Sequence, residues 1–190
     1  RHYAYSASGR LVKIMESADE KGCGRKYVPT QISYDGNGNI TRIQTPSGNE
    51  ILREYDQSNH LLSETHKEKG GSIQNRITFT YDLNGNLIQR TESNGFYTRY
   101  QYDIQGRQIM TEDADGAITW NDYDRNGNLV RQIMPAEYAL YGDQAAGYRF
   151  DYDMSGRNTA VISPDGSRLH LTEYNEYGEK TSEGDGTGRV

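Results

Sequence analysis

Polar and apolar side chains alternate along most of this chain in short runs, each closed by a cluster of Gly, Asn, Asp, Ser or Pro. A period of two with frequent turn residues predicts half-buried β-strands joined by tight turns. A typical run is Phe96-Tyr-Thr-Arg-Tyr-Gln-Tyr102. The phase is set by a recurring Tyr at the end of every second strand. Two residues before it stand Tyr3, Ile32, Arg53, Phe79, Tyr100, Asn121, Phe150 and Thr172, which share a sheet face with that Tyr. The intervening positions are mostly polar: Ser33, Glu54, Thr80, Gln101, Asp122 and Asp151. The alternation leaks. Arg53 falls on the aromatic face, and Leu169 and Leu171 fall on the polar one.

The turns repeat as well. Tyr5-Ser-Ala-Ser-Gly9 is followed by Tyr34-Asp35-Gly-Asn-Gly38, Tyr55-Asp-Gln-Ser-Asn59, Tyr81-Asp82-Leu-Asn-Gly85 and Tyr102-Asp103-Ile-Gln-Gly106. Then come Tyr123-Asp124-Arg-Asn-Gly127, Tyr152-Asp153-Met-Ser-Gly156 and Tyr174-Asn-Glu-Tyr-Gly178. These eight copies recur with a base step of 21 or 22 residues and three longer steps of 26 or 29. Asp suits the first turn position because its carboxylate bonds backbone N–H groups two residues on. The fourth turn residue needs positive φ, which Gly adopts freely and Asn best substitutes, as at position 59. A second turn signal sits mid-repeat, at Pro46-Ser-Gly48, Ser93-Asn-Gly95, Asp115-Gly116 and Pro164-Asp-Gly166. Each repeat is therefore one β-hairpin. The expected fold is all-β, an antiparallel meander of about fifteen short strands in a curved open sheet.

The longer steps place insertions near 15–29, 66–75 and 135–147. The first is charged and contains Cys23, the second reads as an exposed hairpin loop, and the third (PAEYALYGDQAAG) has the Pro start of a short helix. Residues 182–190 are Gly-dense and read as a frayed tail after a repeat segment over 1–181. The chain starts at Arg1 without a Met or a leader pattern and reads as a piece of something longer.

Composition sharpens this picture. Leu, Ile, Val and Phe together make up 31 of 190 residues, against 16 Tyr and 21 Gly. So few aliphatic residues would suit disorder, but the net charge of −6 is too small for that class. A thin sheet with half-wet faces fits better than a thick core. The excess of Asp and Glu (27) over Lys and Arg (21) argues against nucleic acid as a partner. No apolar run approaches the ~20 residues of a transmembrane helix.

Tandem Tyr-Asp-x-x-Gly-(Asn/Arg)-(Leu/Ile) with a mid-repeat x-Gly turn resembles the RHS or YD-repeat family, over roughly residues 3 to 181. The resemblance implies a secreted or cell-surface protein, delivered by a secretion system in the bacterial toxins. It implies repeats that wind into a hollow β-shell, as in polymorphic toxins, insecticidal toxin complexes and teneurins. Its partners would be adjoining RHS repeats and an encapsulated toxin domain of the parent polypeptide. Self-cleavage in the family goes with an Asp-Pro motif that is absent here, so no cleavage residue is carried over.

Candidate chemistry is sparse. The Asp-x-Asn-Gly-Asn runs at Asp35, Asp82 and Asp124 invite a calcium reading, but Gly falls at the fourth position and no acid recurs at the twelfth. They read as turns. The four His, at 2, 60, 66 and 170, lack ligand spacing, and the lone Cys23 can form neither an internal disulfide nor a cysteine zinc cage. His66 reads as a solvated loop residue. No cofactor, metal or catalytic residue is assigned, and the chain is expected not to be an enzyme. Trp120 stands on a strand as a packing contact or a ligand-stacking residue. Two functions remain: a structural shell segment that encapsulates a toxin, or a recognition module binding glycan or protein through exposed aromatics. Open sheet edges predict self-association of the isolated segment.

Overall fold

The computed structural model describes residues 1–18 and 26–185, with side chains over 1–15 and 29–185. Cys23 and the middle of the first insertion, 19–25, lie outside the described residues, as does the end of the tail. The chain divides into two compact units, Arg1–Tyr97 and Thr98–Val190. The first holds β1 (His2–Tyr5), β2 (Leu11–Ala18), β3 (Lys26–Tyr34), β4 (Ile40–Gln44), β5 (Glu50–Tyr55), β6 (Leu61–Lys67), β7 (Ile73–Tyr81) and β8 (Leu87–Thr91). The second holds β9 (Tyr97–Tyr102), β10 (Gln108–Glu112), β11 (Ile118–Tyr123), β12 (Leu129–Ile133), helix α1 (Pro135–Tyr141), β13 (Tyr148–Tyr152), β14 (Asn158–Ile162), β15 (Arg168–Tyr174) and β16 (Lys180–Gly184). Strand order is chain order, and the strands pair antiparallel with their sequence neighbours in each unit. The fold is an all-β meander that does not close into a barrel.

Thirteen of the described turns share one five-residue design. The N–H of the first residue bonds the carbonyl of the fifth, and the N–H of the fourth bonds the carbonyl of the first. At the motif turns this produces a register shift beside the Tyr, as between Ser33 and Tyr34, Thr80 and Tyr81, or Asp151 and Tyr152. One residue of the return strand is left without a Cα partner: Thr41, Ile88 and Thr159 in those three cases. This is the tight turn plus β-bulge that joins strands while increasing their local twist. The fourth residue has positive φ throughout, including Asn59 at 67°.

The leaks in the alternation are matched across strands. Ile32 faces Ile43, Phe150 faces Val161 and Tyr3 faces Ile14. Arg53 faces Glu64 and bonds it at 2.7 Å, while Asn121 faces Gln132 and accepts its amide N–H at 3.0 Å. A polar residue on the aromatic face is thus paired with a complementary one directly opposite, the pairing that stabilises a sheet position. On the other face Leu171 sits against Ala160, which is buried, while Leu169 is exposed.

The insertions behave differently. The second is half strand: β6 runs to Lys67, β7 starts at Ile73, and the loop between is the same five-residue turn. His66 therefore lies on β6 rather than in a loop, and its Nε2 bonds Glu64 at 2.7 Å. The extra residues lengthen the hairpin because the alternation Asn75, Ile77, Phe79, Tyr81 keeps one face half-buried. The third insertion forms α1, with Pro at its start. Its Tyr138 stacks on Trp120 of β11, with ring centroids 6.2 Å apart. Beside it Ile133 is fully buried, with Met110 and Ala145 nearly so. Gly147 brings the chain back, and a Cβ there would lie 2.7 Å from the Gln132 carbonyl. In the first unit the only buried described residues are Ser63 and Thr65, so its packing is thin and polar. At the C-terminal end β16 pairs Ser182–Gly184 with β15, so the expected boundary at 181 falls inside a strand.

Candidate functional site

The recurring residues come together at the motif turns, one per repeat. Each Asp is fully engaged within its own turn. In the sixth copy Asp124 Oδ1 accepts the N–H groups of Asn126 and Asn128, and Oδ2 accepts the side-chain amide of Asn128, all at 2.9 Å. Asp82 does the same with Asn84 and Asn86. Asp35 accepts from Gly38, Asn39 and the Asn39 amide. At Asp103 and Asp153 an Arg takes the place of that Asn, donating from Nε at 2.6 Å. At Asp56 it is the Nδ1 of His60, at 2.9 Å. The last copy exchanges the roles: Asn175 donates its amide to Glu179 at 2.8 Å.

These bonds favour the charged carboxylate. The Asn39 amide and turn N–H groups hold Asp35 below the ordinary carboxyl value of 3.8, as the Asn86 and Asn128 amides do for Asp82 and Asp124. Backbone bonds from His60 and Arg157 lower Asp56 and Asp153. At Asp103 burial pushes upward, but the bonds from Arg107 outweigh it.

Within each unit the motif Tyr reaches the repeat before it in six copies. Tyr34 Oη donates to the Leu11 carbonyl at 2.8 Å, Tyr55 to Ile40 at 3.1 Å and Tyr81 to Leu61 at 3.0 Å. Tyr123 donates to Gln108 and Tyr152 to Leu129, both at 2.9 Å, and Tyr174 to Asn158 at 3.2 Å. In every case the acceptor is the second residue after the turn's fourth position, at the entrance to the bulge. A second link comes from the residue just before it. The guanidinium carbon of Arg107 lies 4.9 Å from the Tyr123 ring centroid, and those of Arg10 and Arg157 lie 5.7 and 4.5 Å from Tyr34 and Tyr174. His60 stacks on Tyr81 at 4.8 Å.

At three copies the motif Gly completes the contact. A Cβ on Gly38, Gly85 or Gly178 would lie 2.8–2.9 Å from Arg10, His60 or Arg157 of the preceding copy. Gly at these positions thus serves both the positive φ and a close neighbour. Gly106, Gly127 and Gly156 hold the same turn position at φ 77°, 92° and 76°. Tyr102 ends β9 beside its own turn Asp103. Leu83, Ile104 and Met154, each the second turn residue of its copy, are fully exposed.

The remaining candidates lie elsewhere. Trp120 donates its indole N–H to Asp122 at 3.0 Å while Tyr138 covers one face of the ring. His170 bonds Thr172 at 2.7 Å on β15. Among the described residues no group of three His, Cys, Asp or Glu is placed to hold a metal ion. No helix there is long and apolar enough to cross a membrane. The tyrosine-to-carbonyl rungs and the cation-to-ring contacts were not foreseen from sequence. Their signal was present in Arg10, His60, Arg107 and Arg157, each just after the turn's fourth residue.

An open meander of hairpins, laced turn to turn through Tyr, defines the class of YD-repeat shells. The Teneurin YD-shell profile matches residues 1–126, and the chain belongs to that family. No curated protein matches it in sequence. The fold is also that of much larger solved structures. The crystal structure of TcdB2-TccC3-Cdc42 superposes with a TM-score of 0.57 at 16% identity over 91% of this chain. A Photorhabdus luminescens Tc holotoxin pore gives 0.56 at 15% identity over 95%. In both cases the chain spans 12% of the matched chain's length.

Proposed function

We propose that this chain is a non-catalytic wall segment of a YD-repeat shell that encapsulates a toxin or effector domain of its parent polypeptide for delivery to a target cell. The parent would be a secreted or cell-surface protein. The observation that carries the reading is the spacing-independent lacing. Tyr rungs link copies whether the step is 21 or 29 residues, as at Tyr123 and Tyr34. A wall needs each hairpin bonded to the next without a thick core, and it needs faces that hold cargo without fusing to it. Matched polar pairs such as Arg53 with Glu64 suit the second requirement. The solved structures whose fold it shares include a Tc holotoxin pore, which favours a toxin as the cargo class.

Limited proteolysis with mass spectrometry tests this in the parent polypeptide. A shell gives cuts confined to 15–29 and 135–147 and the hairpin tip near 68–72, with a downstream domain protected. A downstream domain cleaved as freely as when isolated rejects encapsulation. A recognition role has one specific observation in its favour: Leu140 and Tyr141 of α1 are exposed beside a groove of about 560 Å³ lined by Ile118, Pro135 and Tyr138. It would be the better account if the segment alone proved compact and protease-resistant while shielding nothing downstream.

A further inference from the structure

Four Asn-Gly pairs occupy the same place in the same turn, and their surroundings differ enough to rank their chemistry. Asn37-Gly38, Asn84-Gly85, Asn94-Gly95 and Asn126-Gly127 are each the third and fourth residues of the five-residue turn, and all four Asn are exposed. A Gly after Asn has no Cβ beside its own nitrogen, so that nitrogen can close on the Asn side-chain carbonyl carbon. In the closed turn it is engaged: each of these Gly N–H groups donates to the carbonyl of the turn's first residue, at 3.0–3.2 Å. Ring closure therefore waits on local opening, and every further bond that must break lowers the open population. Asn37 is held by two further bonds. Its amide donates to Asn59 Oδ1 at 3.0 Å, and Gly38 N–H also donates to Asp35 Oδ1 at 2.8 Å. Asn94 Oδ1 accepts the Phe96 N–H at 3.0 Å. The Asn84 side chain has no such bond among the described residues, but the His60 ring lies against Gly85. Asn126 has neither restraint. Its side chain has no hydrogen-bond partner among the described residues, and a Cβ on Gly127 would meet nothing within 4 Å.

We propose that Asn126-Gly127, in the turn between β11 and β12, is a site of spontaneous deamidation and isoaspartate formation. When the turn opens, the Gly127 nitrogen attacks the Asn126 side-chain carbonyl carbon. The new N–C bond forms, the Gly N–H proton passes through solvent to the amide nitrogen, and that nitrogen leaves as ammonia. Water then adds across either C–N bond of the five-membered imide. One opening gives aspartate. The other gives isoaspartate, whose main chain runs through the former side-chain methylene. Water is the only co-reactant, and nothing is oxidised or reduced. Either product sets a new carboxylate in the turn of Asp124, whose Oδ1 accepts the N–H of Asn126. Isoaspartate also lengthens the turn by one backbone atom. The bonds that close it, Asp124 N–H to the Asn128 carbonyl at 2.9 Å and Gly127 N–H to the Asp124 carbonyl at 3.2 Å, then lose their geometry. The tip of the β11–β12 hairpin is thus the turn that ages first.

The test incubates the full chain for weeks at neutral pH, folded and in urea, and follows each pair by peptide mass spectrometry. Labelling with an isoaspartyl methyltransferase separates the two products. Each rate is read as the ratio of folded to urea, which removes the effect of local sequence. Asn126 is expected to show the highest ratio. A bond that must open is worth about fivefold, so Asn94 should lag by about that factor and Asn37 by on the order of 20-fold. In a chain carrying Asn59→Gly, position 59 keeps its positive φ and loses the amide acceptor. Asn37 should then convert about fivefold faster while Asn126 is unchanged. A ratio at Asn126 no higher than at Asn37 and Asn94 overturns the proposal. So does an unconverted Asn126 in the folded chain when the urea sample converts. A ratio highest at Asn84 assigns the reaction to His60 acting as a base on Gly85 and overturns it as well.

Discussion

Tyr123 illustrates how one side chain can serve two repeats. Its ring receives Arg107, and its hydroxyl donates to the carbonyl of Gln108, the next residue. Replacing it with Phe keeps the ring and removes the bond, leaving the half-buried Gln108 carbonyl only the longer bond from the Asn121 amide, at 3.4 Å. Tyr123→Phe is expected to cost about 1 kcal/mol, or roughly 2–4 °C in the thermal midpoint. A midpoint unchanged within error would show that water replaces the rung. The period-two pattern put Tyr on the half-buried face but gave no reason for Tyr over Phe. That reason is a carbonyl 15 residues away in sequence, which only strand pairing brings within reach.

At the scale of the element, the turn is the unit that repeats, and its glycines separate two effects. Gly85 and Gly95 hold the same turn position at φ 85° and 86°. A Cβ on Gly95 meets open space, while one on Gly85 would lie 2.9 Å from His60 Nε2. His60 cannot simply swing aside, because it is stacked on Tyr81 and bonded to Asp56. Both Gly→Ala changes carry the left-handed penalty of about 1–2 kcal/mol. Gly85→Ala is expected to be the more destabilising in denaturant titrations. Combining it with His60→Ala should then cost less than the sum of the two single changes. Equal effects of the two glycine substitutions would mean that neighbouring turns are independent.

For the whole molecule, the repeated Asp turns become a pH dependence. Asp35, Asp56, Asp82, Asp103, Asp124 and Asp153 all titrate below the ordinary value of 3.8 in the folded chain. Depressed carboxyls contribute stability that is present above the unfolded value and is lost as pH falls through the folded one. Stability from these turns is therefore expected to hold down to about pH 4 and to fall progressively below it. A chain with Asp→Asn at 82, 103, 124 and 153 should be less stable at pH 7 and show a shallower acid limb in chemical denaturation. An unchanged acid limb would place the sensitivity elsewhere, with Glu64 and Glu183 the next candidates, since their bonds to His66 and Arg53 and to Lys180 also lower them.

Sequence alone determined the repeat, the hairpin, the turn residues and the meander order, because these follow from local chemistry. Positive φ demands Gly or Asn, Asp bonds its own turn, and a period of two sets the faces. It also signalled the helix, through Pro135 and its Ala-rich run. Tertiary structure decided everything that depends on which strands lie side by side. That includes Arg53 opposite Glu64, the long hairpin in place of a loop at His66, Tyr138 over Trp120, and the rungs from six motif Tyr residues to the repeat before them. Composition could not reveal these contacts, because each joins groups separated by a strand or a whole repeat, and pairing register alone makes them neighbours.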